Sequence, residues 1–302
     1  MRRFILPAVL LLFVVSCTQV CMSARKIRGS GNVVTEDRQV KGITGVELAT
    51  IGTLYIELGK KEKLTFEAED NILPYLETRV RGGVLKIDKQ EEVDLKPRKP
   101  VKYYLTVKEL DEIVISSAGN VEAPDLKADK FSIISSSAGD LEMGDLDVNS
   151  LEIMMRSAGD VDIGDVEAKR VEVTISSAGD LTMRDLDVNS LKVRMSSAGN
   201  AKIRNLLAKT LRLRNSSAGT MVIKGGKVEE QDISLSSAGS YMATDLESAE
   251  ATISLSSIGD ATINVRDYLN VTITSAGSVY FVGNPTVRSR ITSVGRVEKV
   301  GN

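Results

Sequence analysis

A glycine returns every twenty residues through most of this 302-residue chain, almost always inside the same short word. Gly119, Gly139, Gly159, Gly179, Gly199, Gly219, Gly239 and Gly259 stand in SSAGN, SSAGD, RSAGD and close variants, and Gly277 and Gly295 follow at a shortened step of eighteen. A fixed period of this size belongs to one structural unit stacked on copies of itself, so the repeat sets the architecture before any single residue is read. One unit, residues 141–160, shows what is stacked. Written in fives it reads LEMGD LDVNS LEIMM RSAGD, with Leu141 and Met143, Leu146 and Val148, and Leu151 and Ile153 at the first and third places. Members of each pair are two apart, the strand period, so both face one side, and the helical spacing of three and four is absent. Between the pairs stand Asp145, Asn149, Ser150, Gly159 and Asp160, which are turn residues. One coil is therefore three or four short strands whose apolar sides meet on a common axis, with Ala158 expected to point inward in the fourth group.

Columns read at intervals of twenty carry the same message. Val121, Leu141, Val161, Leu181 and Ala201 form one, and Met143, Ile163, Met183, Ile203 and Ile223 another. Leu126, Leu146, Val166, Leu186 and Leu206 form a third, and Ile133, Ile153, Val173, Val193, Leu213, Ile233 and Ile253 a fourth. Stacked in parallel, each residue meets its equivalent about 4.8 Å above and below, and the apolar columns become the core. The expected fold is all-β, a single-stranded parallel β-helix of about 20 residues per coil with an N-terminal β cap and insertion. Right-handedness is expected from the chirality of parallel connections. Aromatic residues make up only 4% of the chain and Trp is absent, so aliphatic side chains must fill this narrow core.

The repeated word itself reads as a corner. Its glycine is expected at positive φ, Asn120, Asp140, Asp160, Asp180, Asn200 and Asp260 after it bond the turn backbone, and the Ser117, Ser137, Ser157, Ser177, Ser197, Ser217, Ser237 and Ser257 column links coils through its hydroxyls. A nucleophilic serine is excluded as the meaning of the repeat, because the chain has no His and a serine present in every coil is no unique site. A second column, Asp125, Asp145, Asp165, Asp185 and Asp245, invites calcium, yet it does not follow the glycine-rich nonapeptide calcium pattern and Asp serves turns locally. No metal and no cofactor are therefore expected.

Address and organisation follow from the first residues. Arg2 and Arg3 precede an apolar run from Phe4 to Val15, too short to span a membrane, which ends in Val14-Val15-Ser16-Cys17. This ending resembles a bacterial lipobox, where cleavage before the cysteine is followed by acylation, and several acyl chains give stable anchoring. The expected division is 1–16 signal peptide, 17–26 tether with lipid on Cys17, 27–110 N-terminal cap and first coils with inserted hairpins, and 111–302 the SSAG-repeat β-helix. Cys21 is the only other cysteine, so no disulfide framework exists in the fold. The expected location is the bacterial outer membrane, facing the periplasm or displayed on the cell surface.

Before residue 108 the strand alternation persists without the period. Leu54, Ile56 and Leu58 and then Leu64, Phe66 and Ala68 flank Gly59–Glu62, which predicts a hairpin. A tight turn is predicted at Arg81-Gly82-Gly83, one helical turn over Ile72–Leu76, and a loop over Glu91–Pro100. Val46–Gly52 resembles Ile113–Gly119, as though a first coil were interrupted by inserted strands. The other end shows no evident cap, so the last short coils or another molecule close it, and a homo-oligomer through that coil is one option.

With 39 basic and 41 acidic side chains the net charge is −2, which disfavours nucleic acid as a partner. The charge is uneven, however, and a basic middle stands out against a solvated surface of mixed sign. Arg184, Arg194, Arg204, Arg212 and Arg214, with Tyr241 as a nearby ring, are the candidates for binding an anionic glycan or an envelope or host protein. The opening GSGNVVTEDRQVKGITGVELATIGTLYIELGKKEKLTFEAEDNILPYLETRVRGGVLKI, followed by the SSAG repeats, resembles the putative auto-transporter adhesin head GIN domain family over residues 29–300. The resemblance implies a β-helix on a secreted or lipid-anchored bacterial protein with an adhesive role, and carries no catalytic residues. The expected protein is thus a non-enzymatic, lipid-anchored solenoid presenting a binding surface. A carbohydrate-active enzyme on the same scaffold is the alternative, though it requires a clustered acid/base set that this sequence does not display. The square coil of pentapeptide-repeat proteins also divides twenty into fives, but their A(D/N)LXX pattern is missing.

Overall fold

The computed structural model describes residues 24–301, so the leader, Cys17 and most of the tether lie outside the described residues. What is described is a parallel β-solenoid of about 9 turns with coils of about 20 residues. A 23-stranded sheet winds through the whole body, and a second sheet of two strands sits beside it at the N-terminal end. Leu126–Ser135, Leu146–Met155 and Val166–Ile175 pair in parallel with Ile133 opposite Ile153 and Ile153 opposite Val173, a register step of twenty at each level. The same step continues through Leu181–Met195, Ala201–Asn215 and Gly226–Leu235. Every column anticipated from the spacing is present in this register and buried. Within Leu146–Met155 the burial phase shifts at Asn149–Ser150, from Leu146 and Val148 to Leu151, Ile153 and Met155. Two consecutive outward residues mark the bend that turns the strand while keeping its apolar side on the axis.

The corner glycines are required for a different reason from the one expected. None of the eight from Gly119 to Gly259 has a positive φ. They are the buried, inward residues of the corner, and Ala118, Ala138, Ala158 and their equivalents face solvent instead. A Cβ on Gly139, Gly159, Gly179, Gly199, Gly219 or Gly259 would fall on the carbonyl oxygen of the glycine one coil before. The column is therefore a close backbone stack, and a hydrogen is the largest group it accepts. Hydroxyl links between coils come from the first serine of the word rather than the second. Ser136 Oγ donates to the Ile115 carbonyl at 3.3 Å, Ser176 to Met155 at 3.2 Å and Ser216 to Met195 at 3.4 Å.

The acids after the glycine build a ladder of their own. Asn120 Oδ1 accepts the N–H of Asp140 at 3.1 Å, Asp140 that of Asp160 at 3.0 Å, Asp160 that of Asp180 at 2.9 Å and Asp180 that of Asn200 at 3.1 Å. Asp125 and Asp145 do the same for Asp145 and Asp165 at the next corner, each at 2.8 Å. Each side chain satisfies a turn N–H that the parallel ladder leaves free.

The interrupted first coil is real. Gly45–Leu48 pairs in parallel with Glu112–Ile115, Val46 opposite Ile113, and Thr53–Leu58 pairs with Asn120–Ala123, Leu54 opposite Val121. The hairpin expected around Gly59–Glu62 does not form. Lys102–Val107 lies between its two arms, parallel to Thr53–Leu58 and antiparallel to Lys63–Glu69, and Val33–Arg38 closes the far side. Alternation makes both segments strands without naming their partners, and Leu54 must stay in register with Val121 to enter the core. The turn at Gly82-Gly83 is found between Leu76–Arg81 and Val84–Lys89, with φ of 58° and 84°, the double positive φ of a type I′ hairpin. Leu73–Tyr75 is the expected single helical turn, of 3-10 type. The expected loop at Glu91–Pro100 contains a strand, Val93–Lys96, which pairs in parallel with Arg25–Arg28, so the last two tether residues belong to the fold.

At the other end the coil shortens to eighteen. The pairing between Ser240–Leu255 and Ala261–Ile273 slips twice, between Ala243 and Glu247 and between Ser248 and Glu250. The strand Thr286–Ile291 is exposed along its whole length, and Val287, Ile291 and Val294 reach solvent.

Candidate functional site

Five of the six candidate side chains are exposed, but the fold separates them into two groups. Arg184 and Arg204 stand beside the second aspartate column and are consumed there. Arg184 donates to Asp145 and lies 3.4 Å from Asp165, while Arg204 Nε donates to Asp185 at 2.7 Å. The N–H of Asp165, and then Arg184, hold the Asp145 carboxyl below its usual range, and Arg204 does the same for Asp185. These two arginines clamp adjacent coils. A groove of about 820 Å³ runs along this corner between Asp125, Asp145, Asp165 and Asp185 on one wall and Asp147, Glu167 and Asp187 on the other. Its first wall is occupied by backbone N–H groups and by the two clamps. Among the described residues no set of three or more His, Cys, Asp or Glu side chains is arranged to hold a metal ion.

Tyr241 is a correction. It is fully buried, and its hydroxyl donates to Gln231 Oε1 at 2.6 Å. Burial pushes the phenol upward from its ordinary pKa. The repeat explains why, since Tyr241 occupies the inward column of Met221 and Ala261, and Ala243, Ala251 and Ala261 leave room for a ring. It cannot reach a surface ligand.

Arg194, Arg212 and Arg214 remain, and the structure brings Lys192 into their company. In the parallel register Lys192 lies opposite Arg212 and Arg194 opposite Arg214, so two adjacent coils present a two-by-two array of cations on one outward strand face. Neighbours along a strand are about 6.6 Å apart and neighbours across coils about 4.8 Å, which keeps the array within roughly one Debye length at physiological salt. Carboxylates approach it from the coils on either side and pair with three of the four cations. Glu172 is 3.5 Å from Lys192, and Asp232 is 3.0 Å from Arg212 and 3.9 Å from Arg214. Arg194 has no carboxylate within ion-pairing distance among the described residues. Farther along the same face, where the coil shortens, a cleft of about 390 Å³ opens between Glu250, Tyr268, Asn270 and Arg288. Sequence reasoning did not single out Glu250, Asn270 or Arg288. The signal available was the step of eighteen after Gly259, which marks where the repeat breaks but not which side chains the break gathers.

Comparison with known proteins agrees with this architecture. Three solved structures superpose along nearly the whole chain. A putative adhesin from Parabacteroides merdae ATCC 43184 has 17% identity and a TM-score of 0.51, covering 92% of this chain and 100% of its own. A putative adhesin from Parabacteroides distasonis ATCC 8503 has 15% identity and a TM-score of 0.52, covering 91% and 100%. A protein described as a putative lipid binding protein from Parabacteroides distasonis ATCC 8503 has 20% identity and a TM-score of 0.50, covering 92% and 100%. At these identities the likeness establishes a shared fold. No curated protein matches the chain. The sequence profile described as "Putative auto-transporter adhesin, head GIN domain" matches residues 43–207 and 189–285, which together span most of the solenoid. The chain belongs to that family.

Proposed function

We propose that this protein is a non-enzymatic adhesin of the bacterial cell envelope, held to the membrane by lipid on Cys17, whose solenoid binds an anionic polymer through the Lys192–Arg194–Arg212–Arg214 face. The paired register of these four cations, with their carboxylate partners on the coils to either side, is the observation that carries the reading. Exposed ion pairs contribute little singly, about 0–1 kcal/mol each. Four cations close enough to act together attract a polyanion and speed its encounter, with a strong dependence on salt. The non-enzymatic reading is supported by the use of the aspartate columns, whose oxygens accept turn N–H groups or arginine clamps in coil after coil. The family's description as an auto-transporter adhesin head domain supports the adhesive part of the reading.

Binding of sulfated dextran to the full chain, measured by calorimetry across salt concentrations, tests the face. Arg194→Ala combined with Arg214→Ala is expected to weaken binding at least tenfold and to flatten the salt dependence. Unaltered affinity in the double variant overturns the assignment. For the anchor, Cys17→Ala is expected to move the protein from the membrane to the soluble fraction, and unchanged fractionation rejects lipidation at that residue.

A further inference from the structure

We infer that the cleft around Tyr268 is a sugar-ring subsite on the same face, so that the polymer bound by the basic array is an acidic polysaccharide. This rests on the anionic-polymer reading above and adds the chemistry of the ligand's backbone.

The shortened coil creates the cleft. Opposite Ser240–Leu255, the register slips so that Glu247 faces Asn264, Ser248 faces Val265 and Glu250 faces Tyr268. Arg266 and Asp267 are the residues left over, and they are pinned by hydrogen bonds to each other of 3.0 and 2.9 Å and by the 3.6 Å pair between Arg266 and Glu247. A bulge re-aims the side chain beside it. Here that side chain is Tyr268, 59% exposed in a chain whose rings are few.

The surroundings of the ring have the chemistry of a carbohydrate site. Glu250 lies one coil before Tyr268 and Thr286 one coil after, while Thr252, Asn270 and Arg288 form the neighbouring column. All six line the cleft of about 390 Å³, at the small end of ligand sites. An aromatic face offers an apolar platform, and around it stand a carboxylate that accepts, a guanidinium that donates and an amide that does both. Neither Glu250 nor Arg288 has an opposite charge within pairing distance among the described residues. Vicinal hydroxyls of a pyranose, which donate and accept at once, would engage both.

Position joins the cleft to the basic array. Arg212, Asp232, Thr252 and Asn270 succeed one another in one column. Asn270 therefore stands three coils beyond Arg212, about 14 Å along the axis. An extended oligosaccharide lying along the solenoid reaches both, placing acidic substituents over Lys192, Arg194, Arg212 and Arg214 and a ring on Tyr268.

The test compares acidic oligosaccharides of differing backbones, namely sulfated dextran, alginate, hyaluronan and polygalacturonate, with linear polyphosphate, which has charge but no sugar. Tyr268→Ala in the full chain is expected to weaken the best-bound oligosaccharide at least fivefold and to leave polyphosphate unchanged, and Tyr268→Phe is expected to retain binding. Asn270→Ala, which removes the amide of the cleft and leaves the ring itself unaltered, is expected to give a smaller loss for the sugar alone. The inference is overturned if no member of the panel depends on Tyr268 and Asn270, or if polyphosphate loses as much. Arg194→Ala with Arg214→Ala separates the two readings, because it should weaken sugars and polyphosphate alike. Loss there without loss at Tyr268 leaves the basic face standing and removes the sugar subsite. The opposite pattern removes the basic face.

Discussion

The coils from Val121 to Gly219 and those after Gly239 are made by the same rule and used differently. In the middle coils the step of twenty is unbroken, each corner glycine rests on the one before, and the acids of both turn columns are bound to the next coil. Little polar chemistry is left over there, apart from side chains on the flat strand faces. Toward the C-terminal end Tyr241 pairs with Gln231 in the core, and after Gly259 the step falls to eighteen, the pairing slips twice and a ring and a cleft appear on the surface. Regularity commits the turn side chains to construction, and the break in regularity gathers polar groups that the ladder of turns does not use. That contrast is open to attack at three depths of the structure.

The largest effect is expected at the glycine column. Gly179→Val would drive a branched side chain into the carbonyl oxygen of Gly159, with no flexible atom to yield. A loss of about 3 kcal/mol or more is expected by analogy with overpacked cores. Gly179→Asn sharpens the reading. Asparagine tolerates positive φ, so a corner limited by φ would accept it, whereas a corner limited by backbone contact would reject it nearly as strongly as valine. Urea titration decides between them, and a stable asparagine variant would return the column to the conformational explanation.

That distinction shows where sequence reasoning reached its limit. The period and the apolar pairs imply register, because a step of twenty with strand alternation leaves one way to stack Ile133 on Ile153 and Val173. They imply that Gly139 and its equivalents are obligatory, yet positive φ and close approach both call for glycine, and spacing does not separate them. The segments around Gly59 are legible as strands but not as partners, since Lys102–Val107 arrives from more than thirty residues away to lie between them. Tyr241 was nominally assignable, because the first place of a group of five faces the axis, and its ring chemistry obscured that rule. The clamps at Arg184 and Arg204 and the array at Arg194, Arg212 and Arg214 look alike as text. They differ because the first pair flanks an aspartate column and the second group projects from a strand face.

An intermediate effect is expected in the core of the later coils. Tyr241→Phe keeps the ring and removes the hydroxyl that Gln231 Oε1 accepts. Gln231 is fully buried and its Nε2 already has no hydrogen-bond partner among the described residues, so the variant leaves the whole amide unpaired there. A cost of about 1–3 kcal/mol is expected for an unsatisfied buried group. Replacing Gln231 by Leu alongside Tyr241→Phe should recover much of it, since removing both partners is far less costly than removing one. Thermal unfolding of both single variants and the double closes the cycle, and losses that simply add would show that the pair carries no coupled energy.

The smallest effect belongs to the turn acids, and it appears only in acid. Asp145 is held below its ordinary carboxyl pKa by the N–H of Asp165 and by Arg184, and Asp185 by Arg204. A carboxylate depressed in the folded state stabilises fully above its unfolded pKa, 3.8 for these groups, and loses that contribution as pH falls toward the lower folded values. Stability is therefore expected to be flat with respect to these groups from neutrality down to about pH 4 and to decline below it. Asp145→Asn retains an oxygen for the N–H of Asp165, as Asn120 and Asn200 do for theirs, and together with Asp185→Asn it removes the titrating charges. At neutral pH the double variant should melt only slightly below the parent, because the charges removed are on exposed side chains. Below pH 4 its melting temperature should fall less steeply than the parent's. Coincident acid limbs would show that the middle coils do not depend on these charges, and that the backbone ladder alone holds the regular part of the solenoid together.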